Sequence, residues 1–86
     1  LVSPLTKEDR YRYRLNKGVK ITEIQNGKFK AAGLDKGYII VKINNNVIYD
    51  QEDLSRAISS VGDNGVFVTA VSPRGKVEYF AFSLLN

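Results

Sequence analysis

Ala31-Ala32-Gly33-Leu34-Asp35-Lys36-Gly37-Tyr38-Ile39-Ile40-Val41-Lys42-Ile43-Asn44 is the stretch that decides the fold. It spells a short helix stopped by Gly33, a charged turn carrying Gly37, and an apolar strand that runs into the asparagines at 44–46. Glycine suits both breaks, since a chain reversal of this kind needs positive φ or close backbone approach. The strand from Tyr38 to Asn44 is almost continuously apolar, which predicts burial on both faces.

Upstream of this stretch, Gly18-Val19-Lys20-Ile21-Thr22-Glu23-Ile24 predicts a half-buried strand, with Val19 and Ile21 alternating with Lys20. Asn26-Gly27 ends it with a turn signal, and Lys28 to Ala32 forms the helical turn that Gly33 closes. Thr6 with Asp9 predicts a shortened capping box and a helix from Lys7 to Arg14. The alternation Arg10-Tyr11-Arg12-Tyr13-Arg14 also admits a strand with its arginines on one face, but the helix is the preferred reading. Leu1 to Leu5, with Ser3-Pro4, reads as a linker remnant, which leaves residues 6–86 as a single small domain.

Downstream, the asparagines tolerate left-handed backbone and predict a tight turn into a strand over Val47-Ile48-Tyr49. Asp50 is a suitable N-cap, and Gln51, Glu52 and Asp53 give the main helix a first turn matched to its dipole. Leu54, Ala57, Ile58 and Val61 then form one apolar stripe, and Gly62 is the expected stop. Strands at 66–71 and 77–84 are joined by Ser72-Pro73-Arg74-Gly75, the signature of an antiparallel hairpin. Leu84-Leu85-Asn86 reads as the end of the domain. The element count gives an α+β class: five or six strands in a small, partly open barrel or sandwich, capped by one main and one short helix.

Composition narrows the function. An 86-residue chain with 43% apolar and 26% charged residues supports one core. There is no Cys, which excludes disulfides and thiolate zinc sites, and no His, which removes the usual general base and every Ser-His-Asp or Cys-His arrangement. No catalysis, metal or other cofactor is therefore expected of this chain. No apolar run reaches the ~20 residues of a spanning helix, so no membrane insertion is expected. The net charge of +4, from 13 basic and 9 acidic residues, favours anionic partners such as a chain-terminal carboxylate. It falls short of a dense nucleic-acid-binding face. Interleaved Arg and Tyr at 10–14 suit single-stranded nucleic acid, but Tyr79, Phe80 and Phe82 lie beside Glu78 and no arginine. No nucleic-acid partner is expected.

Several short motifs stand in a consistent order: Leu15, Lys17-Gly18-Val19, Ala32-Gly33-Leu34, Lys36-Gly37, Val41-Lys42-Ile43-Asn44, Asp53-Leu54-Ser55-Arg56-Ala57-Ile58 and Arg74-Gly75-Lys76. Together they span residues 5–85, and in this order the chain resembles the PDZ domains of bacterial Do-like (HtrA-family) serine proteases. Lys17 stands where such domains usually have an apolar residue, Tyr38 where an acidic one is usual, and Phe29 where a small one is. The resemblance implies the bacterial, circularly permuted PDZ arrangement, with a ligand groove between the strand after the Gly-bearing loop and the main helix. It implies a periplasmic serine endopeptidase as the parent, with chaperone behaviour and a catalytic triad in another domain. C-terminal-processing and site-two-type proteases are the competing parents. The implied partners are unfolded or misfolded proteins, their C-terminal peptides, and other domains and subunits of the protease oligomer.

A physical account of the site accompanies the resemblance. A loop at Gly18 can turn successive N–H groups into a nest for a carboxylate. The strand from Val19 to Ile24 would offer an edge to which an extended peptide adds. Val19 and Ile21, with Leu54, Ala57 and Ile58 across the groove, would line its pockets, and Lys17, Lys20 and Arg56 are the candidate cations around it. The rival expectation is a structural or oligomerisation module whose groove is closed.

Overall fold

Thr6 opens the first helix as its side chain dictates. Its hydroxyl accepts from the Asp9 amide at 3.1 Å while the Asp9 carboxylate accepts from the Thr6 amide at 3.3 Å, a reciprocal capping box. This computed structural model describes residues 1–61 and 65–83. Along the chain run β1 (Val2–Pro4), α1 (Lys7–Tyr13), β2 (Val19–Ile21), α2 (Lys28–Ala32) and β3 (Ile39–Ile43). After these come β4 (Asn46–Val47), α3 (Gln51–Ser59), β5 (Gly65–Val71) and β6 (Val77–Ser83).

The strands form one open antiparallel sheet of six in the order β1-β2-β3-β5-β6, with β4 paired to β3. The fold is therefore a small α+β arrangement. Gly33 ends α2 at φ 118°, in the left-handed region where glycine has no penalty. Asn44 turns β3 into β4 at φ 53°, and its side-chain oxygen accepts from the Phe67 amide at 2.8 Å. Asp50 caps α3 by accepting from the Asp53 amide at 2.9 Å. The expected stop at Gly62 and the last expected strand residue, Leu84, lie outside the described residues. Within them, α3 ends at Ser59 with Ser60 as its cap.

The sheet carries an apolar cluster on each face. Ile40, Ile43, Ile48, Val66 and Val68 join Ala57 and Val61 of the α3 segment on one side, and Phe29, Phe80 and Phe82 pack against them. Leu5, Ile39, Val41 and Val71 form the other cluster, covered by Tyr13 and Leu15. A register shift between Ile40 and Lys42 explains how β3 feeds both. The extra residue turns Lys42 out to solvent and returns Ile43 to the face of Ile40.

Residues 1–5 are not a loose linker here. Val2, Ser3 and Pro4 pair with Ile21, Lys20 and Val19, and Leu5 is buried. The Leu1 carbonyl accepts from the Thr22 and Glu23 amides at 3.0 and 3.4 Å, so it faces β2. Alternation then points the main chain of Ser3 the same way and turns that of Val2 and Pro4 outward. A proline with its missing N–H on the outer side is the arrangement an edge strand tolerates.

Candidate functional site

Helix α3 lies beside β1, and an apolar cleft of about 440 Å³ opens where these two meet the end of β2 and the start of α2. Each wall has a local cause. Leu54 and Ile58 are one turn apart on α3, so they share a face, while Ala57 and Val61 of the same stripe go deeper into the core. Phe29 comes from α2 and is braced by Phe82, whose ring meets it edge-on at 5.0 Å. Ile21, at the end of β2, is buried by Val2 and the core but still reaches the cleft, and Ile24 closes the side beyond it. Glu23, Gln25 and Lys28 form the polar rim.

Of the residues expected at the site, Ile21, Leu54 and Ile58 meet at this cleft. The others do not line it. Val19 and Ala57 are core residues. Lys20 points to the opposite side of the sheet, where its ammonium donates to the Asp9 carboxylate at 3.1 Å. Burial pushes the Asp9 pKa up, but the Lys20 hydrogen bond and the two Thr6 contacts outweigh it and hold the carboxyl below its ordinary value. Arg56 donates to Asp53 at 2.6 Å on the exposed side of α3. The Tyr49 amide is the main cause of the low Asp53 pKa, slight desolvation opposes it, and Arg56 adds to it.

Lys17 is half-buried and Gly18 buried. A Cβ placed on Gly18, at φ 113°, would lie 2.8 Å from Ile39 Cγ2 and 3.1 Å from both the Ile40 carbonyl oxygen and Val41 Cγ1. Ile39 and Val41 belong to the cluster on the far face from α3. Gly18 therefore allows β2 to approach β3 closely and does not look across a groove at α3. The edge of β2 expected to be open is taken by β1, and the sheet's outer edge beside α3 belongs to β1 instead.

Leu1, Val2, Ile24, Phe29 and Ile40 are the apolar wall residues that sequence reasoning missed. The available signals were slight: Ile24 as the last apolar residue of the expected strand, and a large ring at Phe29 where the resembled domains usually have a small residue. Among the described residues there is no group of three or more His, Cys, Asp or Glu that could hold a metal, and no helix is long and apolar enough to cross a membrane. The cleft can seat an apolar side chain, with Glu23, Gln25 and Lys28 at its rim. No protein-family model matches this chain, and no curated protein is a significant match.

Proposed function

We propose that this chain is a peptide-binding domain of the PDZ type, of circularly permuted topology, from a Do-like (HtrA-family) serine endopeptidase of the periplasm. On this reading it receives extended segments of unfolded or misfolded proteins. One observation carries the proposal: an apolar cleft flanked by the outward main-chain groups of an edge strand and the apolar stripe of a helix. That juxtaposition suits strand addition, in which backbone bonds supply affinity and a side-chain pocket supplies selectivity. The ligand lies along β1, not β2, with an apolar side chain between Leu54, Ile58 and Phe29. The reaction itself belongs to another domain of the protease.

The buried Gly18 favours a second reading, a structural module within the oligomer, because its loop does not face α3. Calorimetric titration separates the two. Peptides with a central Leu or Phe are compared as free acids and as amides, against the chain and against Ile58→Asp. Peptide binding predicts saturation that survives amidation and is lost in Ile58→Asp. No heat from either peptide form, with concentration-dependent self-association, supports the structural module.

A further inference from the structure

Alternation along β6 sends Phe80 and Phe82 to the α2 and α3 side of the sheet and leaves Val77, Tyr79 and Ala81 on the other face. Phe67 of β5 lies on that same face, with its ring centroid 6.2 Å from that of Tyr79. Nothing in the described fold covers them: Phe67, Val77 and Tyr79 are 50%, 56% and 65% exposed. Three large apolar side chains exposed side by side on one sheet face form a contiguous patch, unlike single scattered ones.

Cations border this patch on two sides. Lys42 stands opposite Thr69 in the sheet, on the same face and exposed. On the other side, Tyr13 donates its hydroxyl to the Pro73 carbonyl at 3.0 Å, which ties α1 to the turn that bears Arg74 and Lys76. Helix α1 adds exposed Arg10, Arg12 and Arg14. The buried acid of that helix, Asp9, is engaged by Lys20 and Thr6, which leaves exposed Glu8 as the acid set against its three arginines.

We propose that this face is a second docking surface, for an acidic polypeptide segment carrying an aromatic or large aliphatic side chain. Phe67, Val77 and Tyr79 take the apolar side chain, and Lys42, Arg74 and Lys76 take the flanking carboxylates. Charge complementarity sets the sign of the partner. The form of the patch sets its class. Phe67 and Tyr79 are tilted by 42° to one another, so they do not offer parallel platforms to successive bases.

The test is an NMR titration of the isotopically labelled chain at low salt with an acetylated, amidated peptide of repeating Glu-Glu-Phe. Its Lys-Lys-Phe counterpart, an oligothymidine and phosphatidylglycerol vesicles serve as the other probes. The expected result is saturable shifts centred on Phe67, Thr69 and Tyr79 with the acidic peptide, and none there with the basic one. Affinity falls at least about tenfold in Arg74→Glu/Lys76→Glu, whose changes lie in an exposed turn, and also between ~20 and ~200 mM salt. Phe67→Ser/Tyr79→Ser gives the same loss at unchanged salt dependence. Shifts confined to the α3 cleft, equal response to the basic peptide, tighter binding of oligothymidine or vesicles, or no shift with any probe would each overturn the proposal.

Discussion

Replacing Gly18 by alanine separates a packing glycine from a ligand-binding one. The added methyl would sit 2.8 Å from Ile39 Cγ2, and at 3.1 Å from Val41 Cγ1 and the Ile40 carbonyl oxygen. Two of these neighbours are buried core side chains and the third is backbone in the middle of β3, so none can swing away. Overpacking of this kind costs about 1–3 kcal/mol. Holding a non-glycine residue at φ 113° costs about another 1–3 kcal/mol. The sum, roughly 2–6 kcal/mol, compares with a total stability of about 4–13 kcal/mol for 86 residues. At about 4–8 °C per kcal/mol for a chain this size, the midpoint falls by at least ~8 °C. Urea and thermal unfolding followed by circular dichroism measure it, with Gly65→Ala as the control. There the nearest atom to an added Cβ is the Phe82 carbonyl oxygen at 3.7 Å, and the change is a stabilisation of about 0.4–1 kcal/mol. Below its midpoint, Gly18→Ala retains wild-type affinity for an apolar peptide. A variant of full stability that loses carboxylate-dependent binding would refute this reasoning and return Gly18 to the role of an anion nest.

Other outcomes follow from individual contacts. Thr6→Ala removes the side-chain half of the capping box on α1 and lowers stability by about 1 kcal/mol in urea denaturation. The folded Asp9 pKa is lowered, so the stability it contributes is present above its ordinary value of about 4 and is lost as pH falls through the lower folded value. The gap in midpoint between the wild type and Asp9→Asn is therefore widest near neutrality and closes in acid, as a pH series of thermal melts would show. Ile43→Ala empties a fully buried site between β3 and β5 and lowers the unfolding free energy measured in urea by about 2–5 kcal/mol.

Wherever local chemistry and final structure coincide, the fold was legible. Thr6 and Asp9 cap each other within a single turn, Gly33 reverses the chain at its own α-carbon, and the 72–75 turn needs only its own residues to bring β5 and β6 together. Strand β1 was not legible, because Val-Ser-Pro carries no local preference for it. Its pairing is imposed by β2, starting with the Leu1 carbonyl and the amides of Thr22 and Glu23. Reading the site at Gly18 had a similar weakness. A glycine before an apolar strand has the same appearance whether its freedom serves a bound carboxylate or the approach of Ile39 and Val41. Leu54 and Ile58 were readable from helical period, whereas Phe29 and Ile24 reach the cleft only through tertiary placement.

On the strand-addition reading proposed above, the geometry of β1 also limits how tightly a peptide would bind. This strand has three residues, and of its outward residues Val2 offers both an N–H and a carbonyl while Pro4 offers a carbonyl alone. An added strand thus gains at most about three main-chain hydrogen bonds, each contributing about 0.5–1.5 kcal/mol net. One apolar side chain in the cleft adds about 1.5–3 kcal/mol. Against these stands the loss of translational and rotational freedom, about 4 kcal/mol or more. The balance leaves a single domain with weak affinity, about millimolar at best. Such a site is suited to sampling many exposed segments, and firm capture requires several domains held together, where effective concentration multiplies the same small gain. Tethering two copies by a short flexible linker, whose effective concentration is about millimolar, should therefore raise affinity for a peptide with two apolar segments by about threefold to tenfold, while leaving affinity for the single-segment peptide unchanged. Equal affinities for both peptides would mean that the cleft does not engage them independently, and the strand-addition model would fail with it.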